Sequence, residues 1–399
     1  MSNKRKLSSL LSLEQADVAC RGIPPLEKPA QKIRRMDKGN DDEASLSDLL
    51  DFSQLSSTTA IHDRFEEIAS TLLLDFRIVI DTPGKRHEYE ILELEFYLRK
   101  PGCHEDPFTH ASEEQRRSGQ WYFHAVPRRA GKASPATAAG GYRGGSRKGV
   151  DLTLGSSSAV VSRHFATATS EPANFDSHPG LRGGVLLRTV RRVSDAKVIS
   201  GPSLLVDEVL RASGASTISE LVRTMWNGDI SAFSGRSPDR TSQKRATMFL
   251  EYALRDRNTT APRVFSSPRI GLDLSHSEIP PDSLDHPRIQ FINRPYRYFT
   301  HPHLLTANGR GHTFLGVYNA LRDGSTSGYD ICEETAKITG LKLSTVEKYS
   351  RDVNAGLEHG ALASFIGKAG KGAGATPSTF LRMMGTLERV GADSLFQNP

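Results

Sequence analysis

The chain has 399 residues and a net charge of +6 at neutral pH, enough length for one large domain or two smaller ones and a basic excess compatible with nucleic acid as a partner. Its hydrophobic content of 37% lies under the roughly 45–50% of ordinary globular domains, a figure that also counts Gly, so long polar tracts dilute the core. No apolar run is long enough to span a bilayer, no signal-peptide core opens the chain, and Cys20, Cys103 and Cys332 lack disulfide-scaffold, zinc or redox spacing, so a soluble intracellular protein is expected.

Residues 1 to 58 are rich in Lys, Arg, Ser, Asp and Glu and poor in aromatics. Such a segment buries too little apolar surface to offset its ordering entropy and is expected to be disordered. Lys4-Arg5-Lys6 and Lys32-Ile33-Arg34-Arg35 read either as nuclear-import clusters or as a solvated basic tail. Ser45 to Leu50 predicts a short helix.

From Asp63 the pattern changes. Phe65, Ile68, Ala69, Leu72 and Leu73 recur at helical spacing, which predicts an amphipathic helix. Phe76 to Ile80 reads as a strand, Thr82-Pro83-Gly84-Lys85 as a turn, and Tyr89 to Leu98 as a second strand, so the three form an antiparallel hairpin. In that second strand Leu92, Leu94, Phe96 and Leu98 share one face, while Glu93, Glu95 and Tyr97 share the other. Two carboxylates and a phenol are thus lined up on a surface expected to lie off the core, about 7 Å between successive side chains. The pattern suits proton transfer or water activation beside a flat substrate, and equally an ordinary half-exposed strand.

Arg99 to Ser118 is a polar loop holding Asp106-Pro107-Phe108-Thr109-His110, followed by a strand over Gly119 to His124. Arg128 to Arg147 reads as a flexible basic insertion without P-loop or dinucleotide spacing. Gly149 to Leu154 and Gly184 to Val190 predict strands. Ser200-Gly201-Pro202-Ser203 opens a helix to about Leu210, with Ser200 a candidate cap. A helix is expected over Ser219 to Trp226, and a short one near Met248 to Leu254 within a polar, partly disordered stretch from Ser234 to Pro262. Near the C-terminus, Thr313 to Leu321 predicts a helix. Glu333 to Ile338 and Ser344 to Val353 flank Thr339-Gly340-Leu341-Lys342-Leu343 as a helix-turn-helix pattern, with Ser344 as cap and Lys348, Tyr349 and Arg351 on the second helix. That pattern fits a small structural bundle as well as DNA reading. A Gly-rich linker, Lys368 to Thr376, precedes a last helix around Thr379 to Val390.

Seven segments in this order resemble the alkyladenine (3-methyladenine) DNA glycosylase family. They are Ile68-Ala69-Ser70-Thr71-Leu72-Leu73, Glu93-Leu94-Glu95-Phe96-Tyr97, Asp106-Pro107-Phe108-Thr109-His110, Gly119-Gln120-Trp121-Tyr122-Phe123-His124, Gly184 to Arg188, Ser200 to Leu204, and Ser267 to Gly271 with Arg294 to Tyr298. The resemblance implies an α+β fold: one mixed domain with a curved antiparallel sheet, formyltransferase C-terminal-like, over residues 59–311. The disordered tail, 1–58, precedes it, and a small helical segment, 312–399, with the helix-turn-helix-like pattern at 331–354, follows. It implies hydrolysis of the N-glycosidic bond of a flipped, damaged purine in duplex DNA by a monofunctional, nuclear, monomeric enzyme without metal or cofactor. Glu95 would activate water, Tyr97 would stack on the base, and His110, His124 and Arg188 would line the pocket, with Glu93 and Tyr122 in support. Glu93 would raise the pKa of Glu95 by like charge or pair with an arginine. The chain departs from the family pattern with Leu74 after the Leu-Leu pair, a longer loop before His110, His124 for a stacking tyrosine, no matched wedge residue, and only Asp151 or Asn293 for the pocket asparagine. Noncatalytic nucleic-acid binding and hydrolysis of another N-glycoside are the alternatives.

Overall fold

The computed structural model describes residues 45–110, 112–124, 142–143, 147–158, 180–233, 246–253, 260–277, 279–280, 284–305, 307–324, 330–374 and 376–396. Both basic clusters of the N-terminal tail and most of the Gly-rich insertion lie outside these residues. So does most of the polar stretch between Ser234 and Leu254 that precedes and follows a well-formed strand. The protein is mixed α+β with a large antiparallel sheet. It divides into two compact units, one of Met36–Arg255 with Tyr296–Thr300, the other including Asp256–Pro295 and His301–Pro399.

In the first unit a short helix over 45–49 precedes α1 (Thr58–Leu74). Ser57 caps α1 by accepting from the Ala60 N–H at 3.1 Å. The expected stripe, Phe65, Ile68, Ala69, Leu72 and Leu73, is buried. The strands are β1 (Phe76–Thr82), β2 (Lys85–Lys100), β3 (His104–Glu105), β4 (Trp121–Phe123), β5 (Val150–Leu154), β6 (Arg182–Arg192) and β7 (Val198–Ser200). Helix α2 (Pro202–Ser213), β8 (Thr247–Tyr252) and β9 (Arg297–Phe299) follow. The strand order is β4-β5-β6-β2-β1-β8, with β3 and β9 on β2 and β7 on β6. All these pairs are antiparallel.

The long strand β2 is the axis of this sheet. Its first half pairs with β1 from Arg77↔Glu90 to Thr82↔Lys85, which is the expected hairpin. Its second half pairs on that same edge with β9, Arg297 opposite Glu95 and Phe299 opposite Glu93. The other edge is taken by β6, with register irregularities on either side of Glu93. Phe96 on the apolar face stacks on Phe65 of α1 at 4.4 Å between ring centroids. Phe65 also meets Phe52 at 5.6 Å and the edge of Tyr296 at 5.1 Å, so one aromatic ring ties α1, β2 and the residue before β9 into one core.

Several expectations change. The face carrying Glu93 and Glu95 is not a surface: their exposures are 2% and 0%. Helix α2 packs on β6 and β1, and Tyr89 donates to Glu208 of α2 at 2.8 Å. Met248 to Leu254 is not a helix. Met248 and Leu250 are buried while Thr247, Phe249 and Glu251 are half-buried, a period of two that matches a strand beside β1 rather than a helical stripe. The helix from Pro202 is capped by Gly201, not Ser200. Gly201 sits at φ 115° without a side-chain cap, a conformation open to glycine alone. The helix expected at Ser219 to Trp226 is a single α turn, Ile218–Glu220, running into a π turn, Leu221–Met225.

The second unit contains α3 (Arg310–Arg322), α4 (Ile331–Thr339), α5 (Leu343–His359) and α6 (Pro377–Phe396). Gly340, at φ 69°, ends α4, the left-handed cap that lets the chain turn into α5. Ser344 does not cap α5; Lys342 holds that position, with no side-chain cap. Tyr349 is buried against Phe314, ring centroids 5.3 Å apart, so it faces the bundle and not a ligand. Lys348 pairs with Asp352 at 2.9 Å. Helices α5 and α6 touch backbone to backbone. A Cβ on Gly356 would lie 2.1 Å from the Arg382 carbonyl, and one on Gly385 2.1 Å from that of Val353. Among the described residues no helix is long and apolar enough to cross a membrane.

Replacing Phe65 with Ala removes a ring held on three sides. It is expected to lower the unfolding free energy of the sheet unit by about 3–5 kcal/mol, measured as a shift in urea midpoint.

Candidate functional site: the polar face of the sheet

Cross-strand partners share a face of a sheet. The registers Tyr122↔Asp151, Asp151↔Leu186, Leu186↔Glu95 and Glu95↔Arg297 therefore set these five residues in one line across β4, β5, β6, β2 and β9. The adjacent line on the same face is Thr153, Gly184 and Tyr97. Glu95 and Asp151 are two strands apart, roughly 10 Å. Leu186 stands between them in that line, and in the adjacent line Gly184 presents no side chain. A Cβ there would come 2.9 Å from both Cβ and Oδ2 of Asp151, so any larger residue would push Asp151 aside.

At the Glu95 end the site is a buried charge cluster. Arg188 donates from Nε to Glu93 Oε1 at 3.1 Å and from Nη1 to Glu95 Oε2 at 3.3 Å. Arg297, with no exposed area, donates from Nε to Glu93 Oε1 at 2.7 Å. The Thr189 hydroxyl donates to the other oxygen of Glu93, and the Tyr97 hydroxyl donates to Glu95 Oε2 at 2.9 Å. Two carboxylates face two guanidiniums, so the cluster is neutral as a whole. Burial alone would push Glu93 up; Arg297 and then Arg188, with Thr189, outweigh it and hold Glu93 below the usual carboxylate range. Burial works against the charge of Arg188 as well, but Glu95, Glu93 and Tyr97 raise its pKa. Of the two roles open to Glu93, the structure places it in an arginine pair. Its negative charge is spent on Arg188 and Arg297.

The other end is a hydrogen-bonding cluster. His124 Nε2 lies 2.9 Å from Asp151 Oδ1, and Gln115 Nε2 donates to Asp151 Oδ2 at 3.2 Å. The ring of His110 is 4.6 Å from that of His124, centroid to centroid. Tyr122 shares a 2.6 Å hydrogen bond with Ser112 Oγ. His110 keeps an exposed edge, yet its inner side is desolvated. That loss of water, followed by the neighbouring His124 and with Arg143 adding to it, lowers its pKa to about 4 against an upward pull from Asp151. At neutral pH His110 is therefore an uncharged ring with one donor and one acceptor nitrogen.

The structure thus brings Glu93, Glu95, Tyr97 and Arg188 into one cluster and Tyr122, His110 and His124 into a second, on one face of one sheet. Asp151 belongs to the second. Asn293 does not: it follows the helix Pro287–Ile292 in the other unit. Sequence reasoning missed Arg297, Thr189 and Gln115. Arg297 carried a signal, since an arginine between Tyr296 and Tyr298 in a strand shares its face with neither and must find a counter-charge if that face is buried. Among the described residues no group of three His, Cys, Asp or Glu side chains is arranged to hold a metal ion.

Two outcomes follow from these electrostatics. Glu93→Gln leaves Arg188 and Arg297 short of a counter-charge and is expected to destabilise the unit by about 3–5 kcal/mol. Because the folded pKa of Glu93 is depressed, its stabilisation is present above the unfolded carboxylate pKa and lost as pH falls through the folded one. Thermal melts of the variant should therefore depend less on pH in acid than those of the wild type. His110 should remain neutral down to about pH 4 in a proton NMR titration. Its stabilising contribution is present above the unfolded histidine pKa and is lost as pH falls from there through the folded value of about 4.

No protein-family model matches the chain. Over 222 residues it is 26% identical to an uncharacterised protein of Acanthamoeba polyphaga mimivirus, a match covering 56% of this chain and 82% of that protein.

Proposed function

We propose that this protein is a DNA base-excision glycosylase that hydrolyses the N-glycosidic bond of a flipped, damaged purine. The observation that carries the reading is the two-ended polar face. A carboxylate held by arginine stands at one end and a histidine cluster at the other, with Leu186 in the line between them and side-chain-free Gly184 in the adjacent line. A flipped base needs a flat aromatic face and hydrogen bonds to its edge, and its extrusion costs a few kcal/mol. Tyr97 supplies the face, and His110 and His124 the edge contacts. Glu95 activates the water that attacks the sugar C1′, the water taking the place of the Tyr97 hydroxyl on Oε2. Arg188 fixes the carboxylate in place for that task. The chemistry uses no cofactor.

In this reading the antiparallel sheet is the formyltransferase C-terminal-like sheet of the alkyladenine glycosylases, and the seven ordered sequence segments support that assignment. The net positive charge and the basic N-terminal clusters suit a DNA partner and a nuclear location. The helical unit, α3 to α6, is an accessory part and the enzyme acts as a monomer. One observation favours a second reading, noncatalytic nucleic-acid binding: Glu95 is fully buried and ion-paired, as a purely structural carboxylate is.

Single-turnover base release from duplexes carrying hypoxanthine, ethenoadenine or alkylated purines separates the two. Glu95→Gln is expected to slow release by about 10²–10⁴-fold while DNA binding persists. Equal release by both proteins would remove Glu95 from the chemistry. Binding with no release by the wild type would favour the second reading.

A further inference from the structure

The chemistry of the sheet makes no use of the helix-turn-helix pattern in the second unit, whose outward side suits a nucleic-acid groove. Helix α4 ends at Thr339 and α5 begins at Leu343, so three residues, Gly340, Leu341 and Lys342, join them. A turn of that length holding a glycine is the joint of the DNA-binding motif. Gly340, at φ 69°, makes the turn without strain. The Thr339 hydroxyl donates to the Thr335 carbonyl at 2.6 Å and accepts the Leu341 N–H at 3.4 Å. The inner side of α5 is fixed. Val346, Tyr349, Val353 and Gly356 are buried, Tyr349 against Phe314 of α3 and Gly356 against the backbone of α6. The helix therefore cannot roll, and the side chains it turns outward are set.

Those side chains are Leu343, Ser344, Glu347, Lys348 and Arg351, all exposed, with exposed Lys342 just before them. Ser344, Lys348 and Arg351 recur at helical spacing and form one stripe. From Ser344 to Arg351 the stripe climbs about 10 Å, and a major groove about 12 Å wide admits one α-helix. Between Lys337 and Arg351 the exposed charges are Lys337, Lys342, Lys348 and Arg351 against Glu347 alone. Lys337 lies 3.6 Å from Glu334 and Lys348 2.9 Å from Asp352. Lys342 and Arg351 have no ion-pair partner among the described residues. No side chain caps α5 and no acidic residue lies in its first turn, so its leading N–H groups stay open to a phosphate oxygen. Leu343, 39% exposed, is a large apolar side chain left in solvent on this polar side.

We propose that α5 is a DNA-reading helix, and that the helical unit binds duplex DNA with the first two turns of α5 in the major groove. Lys342 and Arg351 take phosphate oxygens. Ser344 and Glu347, between them along the helix, meet base edges, and Leu343 meets a thymine methyl. Glu347 makes the surface selective. A carboxylate within a cationic stripe repels the phosphate backbone, and that cost is offset where it accepts from the amino group of a cytosine. The surface therefore discriminates by sequence as well as by charge. No residue of the sheet takes part, so this binding is independent of the glycosylase reading.

The test is fluorescence anisotropy of the full chain on an undamaged random-sequence duplex, with the single strand beside it, across a salt series. Lys342→Gln and Arg351→Gln change exposed side chains and leave the buried side of α5 intact, so thermal melts should match the wild type. Each is expected to weaken duplex binding and to lower the slope of log affinity against log salt by about 1, with a smaller loss on the single strand. Lys342→Arg should keep the wild-type slope. Selection from a random duplex pool should enrich a sequence with the wild type. Glu347→Ala should lose that preference while binding the random duplex more tightly. An unchanged slope in either glutamine variant, equal losses on duplex and single strand, or no enriched sequence would overturn the assignment. A wild type that binds no duplex would overturn it as well and leave the stripe to a protein partner. Base release is scored on the same protein. Its absence, with these slope changes present, would remove the glycosylase reading and leave the reading helix standing.

Discussion

The sheet unit depends on one buried electrostatic balance. Glu93 and Glu95 are both buried, at 2% and 0% exposure. A pair of carboxylates cannot stay ionised in such a place alone. Arg188 from β6 and Arg297 from β9 reach them from opposite edges of β2. A slip of one residue in either pairing would turn an arginine to the apolar face and leave a charge unmatched. The hydrophobic contacts between α1 and β2 favour a compact sheet. The four charges decide which sheet it is.

That balance also shapes the chemistry available on the face. Glu93 is surrounded by donors and is unsuited to moving protons. Glu95 shares Arg188 and takes the Tyr97 hydroxyl, which leaves it as the carboxylate on which an incoming molecule could compete. At the far end His110 is held uncharged and His124 is backed by Asp151. One charge-paired end and one histidine end on the same face form a pair of environments set apart by their surroundings and not by residue type alone. The helical unit is organised differently. Glycines let α5 and α6 meet backbone to backbone, and Tyr349 of the helix-turn-helix-like pattern fills the bundle.

Much of this architecture was legible in the chain. The stripe of α1, the β1–β2 hairpin, the strands around Asp151 and Leu186, and the helices following Arg310 all follow from local periodicity, which records the environment of each side chain. Glu93, Glu95 and Tyr97 were also legible as a group, because polar residues at alternate positions of a strand must share a face. Their burial was not. A strand with one apolar and one polar face reads as half-exposed whenever its partners come from a distant segment, and β9, which pairs with Glu93 and Glu95, lies far beyond β2 in the chain. The strand over Met248 was misread for a related reason: short apolar runs fit either period until a neighbour such as β1 supplies the hydrogen bonds.

By itself, then, the sequence determined which residues could form helices and strands and which carboxylates, arginines and histidines were available. It did so because period and turn chemistry are local properties. Only the tertiary structure decided that Arg297, some two hundred residues away, neutralises Glu93. It alone decided that Asp151 serves His124 and that both clusters lie on one face. Those outcomes depend on strand order and register, and register is settled by which long-range pairing leaves every buried charge with a partner.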